Sequence, residues 1–250
     1  MITKTIESES ATWGYCGFCG KTHYLEQGKA REYCVELLKT LEKNGRLDFH
    51  ISEREADPRL SMDYLQSEAR GQMFGVLECV DSDGQAVILK AFSGQYDGVW
   101  CVDGWVPPLF DTEKYWSMVR DVDRQIKALG VLINGLSEGE EQRELTRRRK
   151  KLSQDLMKEI HALYRLHNFR SEVKPLFDFF PKGIPTGAGD CCAPKLLNEA
   201  VKQNLTPISL AEIFWGKTNR SRTRQQGIFY PACPEKCQPI LGFMLCGIER

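Results

Sequence analysis

The stretch 112–168 does most to limit what this chain can fold into. Val119, Val122, Ile126, Leu129 and Ile133 recur at helical spacing, the run Asn-Gly-Leu-Ser-Glu-Gly at 134–139 interrupts them, and Leu145, Leu152, Leu156, Ile160 and Leu163 mark a second stripe. Two apolar-striped helices joined by a short loop predict an antiparallel, coiled-coil-like hairpin. That hairpin sits between strand signals. Before it, GVLECV (75–80) and AVILKAF (86–92) flank the turn DSDG (81–84) and predict a β-hairpin. After it, IPTGAGDCCAPKLLNEAV (184–201) reads as a glycine turn opening a helix, LTPISLAEIFWG (205–216) holds a strand, and FYPACPEKCQPILGFMLCG (229–247) is a turn opening another helix. Nearer the start, Ala30, Cys34, Leu37, Leu38 and Leu41 predict a helix over 28–44, ended by Asn44-Gly45.

These elements imply an α/β chain in three parts. Residues 1–69 form a Cys-rich knuckle and helix, residues 70–111 with 171–250 form an α/β core, and residues 112–170 form the inserted helical hairpin. The hairpin is also a candidate surface for a protein partner.

Composition excludes several classes. The chain has 250 residues with 34 basic and 34 acidic side chains, so it is not a strongly basic nucleic-acid binder overall, and any anion site must be local. A charged fraction of 27% with 42% hydrophobic residues argues against global disorder. No apolar run approaches the roughly 18–20 residues of a membrane span. The opening MITKTIESES is polar and lacks a signal-peptide core, which predicts a cytoplasmic chain. Ten cysteines in such a compartment are buried thiols, metal ligands or reactive groups, not structural disulfides.

Their spacing selects among those roles. Cys16-x2-Cys19-Gly20 offers two thiolates from one tight turn, the pattern of a zinc knuckle; His23 and Cys34 are the nearest candidates for the two further ligands. A second group is Cys191, Cys233 and Cys237. Each stands at the predicted start of a helix, where amide dipoles favour the thiolate, and together they could face one zinc ion with a fourth position left for water. Cys192 competes with Cys191 for that role. Lys217, Arg220, Arg222 and Arg224 crowd a loop with no acid close in sequence and are candidate RNA phosphate contacts. The run Arg147–Lys151 reads instead as a solvated helix face balanced by Glu140, Glu141 and Glu144.

Two resemblances attach to these motifs. The order hairpin, helical insert, helix with a ligand at its start, strand, helix with two cysteines is similar to the cytidine-deaminase fold, in which a zinc-bound water attacks a nucleobase and a glutamate shuttles the proton. The resemblance implies Cys191, Cys233 and Cys237 as ligands, with one extra residue in the cysteine pair. The glutamate position falls on Ala193, so the likeness speaks for a fold more than an activity. More specifically, GQMFGVLEC, KAFSGQY, GWVPPLFD, TGAGDCCAPKLL, AEIFWG and GIFYPACPEKCQPILGFML, in that order, resemble the N-terminal accessory region of some bacterial RluA-type pseudouridine synthases. That resemblance implies an RNA-modification context. The family's catalytic half is missing: Arg46-Leu47-Asp48 is preceded by Gly45, and no Thr-Ser-Gly follows.

The resulting expectation is a deaminase-like sheet-and-helix core with an inserted helical hairpin and a small N-terminal zinc knuckle, acting as a stand-alone accessory module that touches RNA without pseudouridine synthase activity. A zinc-dependent nucleobase or nucleoside hydrolase and a helical interaction protein are the alternatives, so the sequence leaves open whether the chain is an enzyme.

Overall fold

The computed structural model describes residues 11–248. Strands β1 (Thr12–Cys16) and β2 (Lys21–Leu25) pair antiparallel, with Gly20 in the left-handed region (φ 70°) closing the turn between them. Along β1 the small residues Thr12, Gly14 and Cys16 point inward while Trp13 and Tyr15 face solvent. Helix α1 (Ala30–Asn44) turns Ala30, Cys34, Leu38 and Leu41 inward and stops at Gly45, whose φ of 68° lets its amide reach the Leu41 carbonyl. Full burial of a side chain such as Leu41 contributes about 2 kcal/mol.

Strands β3 (Gln72–Val80) and β4 (Ala86–Phe92) form the expected hairpin. Asp81 shapes its turn by accepting hydrogen bonds from the Asp83 and Gln85 amides. Helices α2 (Thr112–Asn134) and α3 (Glu140–Leu163) follow, and Asp111 caps α2 by accepting from the Glu113 and Lys114 amides. Short strands β5 (Arg165–His167) and β6 (Val173–Pro175) pair with each other. Helix α4 (Cys192–Lys202), strand β7 (Thr206–Trp215) and helix α5 (Gln238–Met244) complete the chain.

The molecule is therefore mixed α/β, and its largest sheet runs β4-β3-β7 with both pairings antiparallel. Phe74 lies opposite Phe92 on one side and Ile213 on the other, so segments before and after the helical insert meet in one sheet. Helix α4 crosses β3 at Gly75, where an added Cβ would stand 2.6 Å from the Cys192 Cβ. Helix α1 packs on β3 and β7, so the N-terminal segment shares the core of the sheet.

Two compact units result. Among the described residues, one comprises 11–109, 166–174 and 185–248; the other comprises 110–165 and 175–184 and contains α2 and α3 packed together. Among the described residues no helix is long and apolar enough to cross a membrane.

Candidate metal centre

The β1–β2 hairpin and α5 approach each other at two glycines. A Cβ on Gly14 would collide with the Gly242 amide, and one on Gly242 with the Tyr15 carbonyl. Phe18, in the hairpin turn, stacks edge-on against Phe243 of α5 at 5.6 Å. This backbone-to-backbone approach brings the turn after α5, with Cys246, beside the hairpin.

The ligand atoms of Cys16, Cys19, His23 and Cys246 consequently all lie within 4.8 Å of one another. Four donors around a tetrahedral ion at about 2.3 Å are spaced roughly 3.8 Å apart, so the cluster matches the size of such a site. His23 Nε2 lies 3.1 Å from Cys19 Sγ, and His23 Nδ1 is buried with no hydrogen-bond partner among the described residues. Burial pushes the Cys19 thiol up, but hydrogen bonding with His23, the Lys21 amide, Cys16 and Cys246 outweighs it and brings the thiol to about 6. Cys246 pairs with it as the proton-holding partner: burial and the hydrogen bonds to Cys19 and Cys16 push it up to about 12. Three sulfurs and one imidazole without a free position form a closed donor set that can hold a metal ion.

Cys34, expected as the outer ligand, is not part of this set. It sits on the buried face of α1 and donates to the Ala211 carbonyl at 3.4 Å, and burial raises its thiol to about 12. Cys246 takes the fourth place. Its distance in sequence hides it; the packing of α5 on the β1–β2 hairpin, at Gly14–Gly242 and Phe18–Phe243, brings the two segments together.

The second group of cysteines partly converges. Cys191 caps the start of α4, Cys237 caps α5, and their thiols hydrogen-bond each other. Cys233 does not start a helix; it lies in the preceding turn, where its carbonyl accepts from the Cys237 and Gln238 amides. The three sulfurs do not all fall within 4.8 Å. For Cys237 the expected lowering by helix amides is reversed, because the hydrogen bond with Cys191 and burial both raise its thiol. The structure also separates the adjacent thiols. Cys192 is fully buried and donates to the Met73 carbonyl at 3.4 Å, whereas Cys191 lines a cavity of about 50 Å³ together with Cys233, Arg224 and Glu212.

Glu212, on β7, is only 5% exposed. Its Oε1 accepts from the Ala193 amide at 3.1 Å, no basic side chain among the described residues forms an ion pair with it, and burial raises its carboxyl to about 7. Residues 209–214 of β7 are buried on both faces, and Glu212 lies on the face covered by α4; nothing in its local sequence announces a buried acid.

The basic loop is ordered by Asn219, whose Oδ1 accepts from the Arg224 amide at 2.9 Å while its Nδ2 donates to Ser221 and Thr223. Lys217 has an acid after all, Glu68 at 2.9 Å, supplied by a distant segment. Arg224 lies over the Tyr230 ring at 4.2 Å. Arg220 and Arg222 are exposed without ion pairs among the described residues. Trp215 and Phe229 pack against the core. Arg46-Leu47-Asp48 is structural: Leu47 is buried, and Asp48 accepts from Arg46 at 2.6 and 2.8 Å and from the Asp57 amide.

No protein-family model, curated protein or solved structure matches this chain.

Proposed function

We propose that this chain is a zinc-stapled accessory module of RNA modification, a relative of the region that precedes the catalytic domain in some RluA-type pseudouridine synthases, and that it contacts RNA through the 217–227 loop. The carrying observation is the loop itself: Arg220 and Arg222 stand exposed, without ion pairs among the described residues, on a turn already ordered by Asn219. Ordering in advance lowers the entropic cost of gripping phosphates. The Cys16, Cys19, His23, Cys246 set supports zinc as the staple, since three thiolates and an imidazole suit that ion and close its coordination. The order of β3–β4, α4, β7 and α5 supports the deaminase-like reading of the core.

The test is binding of a single-stranded RNA oligonucleotide at several salt concentrations. Changing Arg220, Arg222 and Arg224 to Ala weakens binding and flattens the salt dependence, by a slope of roughly 0.7 for each phosphate no longer neutralised. Unchanged affinity and slope in the triple variant refute RNA binding by this loop.

A further inference from the structure

The two faces of the β1–β2 hairpin differ in chemistry. One carries Thr12, Gly14, Cys16, His23 and Leu25, all buried, and packs on α5. The other carries Trp13, Tyr15 and Tyr24, which stand 36%, 61% and 58% exposed. Trp13 is the direct cross-strand partner of Tyr24, and Tyr15 lies two residues further along β1, diagonal to Tyr24 across the ladder. Direct partners on one face stand about 5 Å apart at Cβ and diagonal ones about 7 Å. The three rings therefore form one continuous aromatic patch on an exposed ribbon.

Folding does not account for that patch. Cross-strand ring pairs steady a hairpin only slightly, and an aromatic cluster kept in water marks a surface made for a partner. The charges around it indicate which kind. Residues 11–25 contain no Asp or Glu, and Lys21 is exposed at the start of β2. Lys174 of β6 sets its ammonium over the Phe18 ring at 4.1 Å, so a second cation reaches the hairpin turn. Rings with polar tips, flanked by cations, suit a polymer that offers flat bases and phosphates together.

We propose that the outer face of the β1–β2 hairpin is a stacking platform for single-stranded RNA, with bases laid on Trp13, Tyr15 and Tyr24 and phosphates drawn to Lys21 and Lys174. Every base has a π-face, so the platform grips unpaired RNA without reading its sequence, and a duplex, whose bases are already stacked, is excluded. The hairpin is rigid before RNA arrives, because Gly14 sits against the Gly242 backbone and the Cys16, Cys19, His23, Cys246 set spans both strands and the segment after α5. Little further ordering is lost on binding. The inference rests on the RNA reading above and adds to it a base-binding surface, distinct from the phosphate contacts of the 217–227 loop.

The experiment measures binding of a short mixed-sequence single-stranded RNA, and of the same strand made abasic, to the full-length zinc-loaded protein at several salt concentrations. Tyr15→Leu combined with Tyr24→Leu keeps both exposed positions apolar and removes the rings; circular dichroism checks the fold. The double variant binds the base-bearing strand roughly tenfold or more weakly with its salt slope unchanged, because stacking releases no counterions. Wild type binds the abasic strand as weakly. Photo-cross-linking of an iodouridine-containing strand, followed by peptide mass mapping, marks the peptide with Trp13, Tyr15 or Tyr24. In the Arg220, Arg222 and Arg224 to Ala variant this cross-link persists while the salt slope flattens, which separates the platform from the loop. Equal affinity of wild type and the tyrosine variant for the base-bearing strand, or of wild type for both strands, overturns the platform even where the loop binds. Altered self-association of the tyrosine variant with RNA affinity intact assigns the face to a second copy of the chain and overturns it too. No binding by wild type at low salt overturns both RNA surfaces.

Discussion

His23 turns Nε2 to within 3.1 Å of the Cys19 sulfur while its Nδ1 is buried with no partner among the described residues. A buried ring nitrogen left unpaired costs about 1–3 kcal/mol. A bound ion offsets such a cost, because it recruits the imidazole and three thiolates at once. Metal removal is therefore expected to lower stability sharply. An ion bound only by the folded chain adds about 4 kcal/mol at a thousandfold excess over its dissociation constant. Thermal unfolding with and without a chelator measures this; an unchanged midpoint in a sample shown to be metal-free refutes the staple.

The staple requires the hairpin and α5 to touch backbone to backbone. Gly14→Ala is expected to destabilise by at least about 3 kcal/mol, since its methyl meets the Gly242 amide and neither backbone can retreat. Gly17→Ala, three residues on, meets nothing within 4 Å and should be neutral within about 0.5 kcal/mol. Denaturant midpoints compare the pair directly, and equal midpoints would show that the close approach is not required.

Periodic segments are the readable part of this sequence. The apolar stripes of α2 and α3, the β3–β4 hairpin and the Asn44-Gly45 stop of α1 are local patterns, and local physics produces them. The β1–β2 strands escape such reading because their inward positions include Gly, Cys and His, which carry no strand signature. Cys16, Cys19 and His23 are legible as ligands from spacing. Cys246 is not, because its membership depends on which helix packs on the hairpin. Cys34 misleads for the converse reason: nearness in sequence suggests a ligand, but the helical phase that makes α1 amphipathic also aims Cys34 into the core. Lys217 looks unpaired in the sequence because Glu68 is remote in the chain.

Asp48 should make acid stability depend on one ion pair. Burial pushes its carboxyl up, but the Arg46 hydrogen bonds and the Asp57 amide prevail and hold it below the ordinary value of 3.8. The folded state thus binds its proton less readily than the unfolded chain does. Its contribution is complete above about pH 4 and is lost as pH falls through the depressed value. Asp48→Asn should cost about 2 kcal/mol at neutral pH, since Arg46 stays partly in water, and should flatten the acid limb of the stability curve. Parallel acid limbs in the two proteins would contradict this.

Cys191 and Cys192 should behave as opposites in the metal-free protein. Cys192 is fully buried, its S–H faces the Met73 and Ala91 carbonyls, and burial raises it well above the ordinary thiol value of 9.0, so neither reagent nor thiolate is present at its sulfur. Cys191 is half-buried at the edge of a cavity. Alkylation of the folded protein followed by peptide mass mapping is expected to mark Cys191, which borders the cavity, and spare the buried Cys192 until the protein unfolds. Labelling of Cys192 in the folded state would mean that α4 does not sit on β3 at Gly75, and the position of Cys191 at the cavity would fall with it.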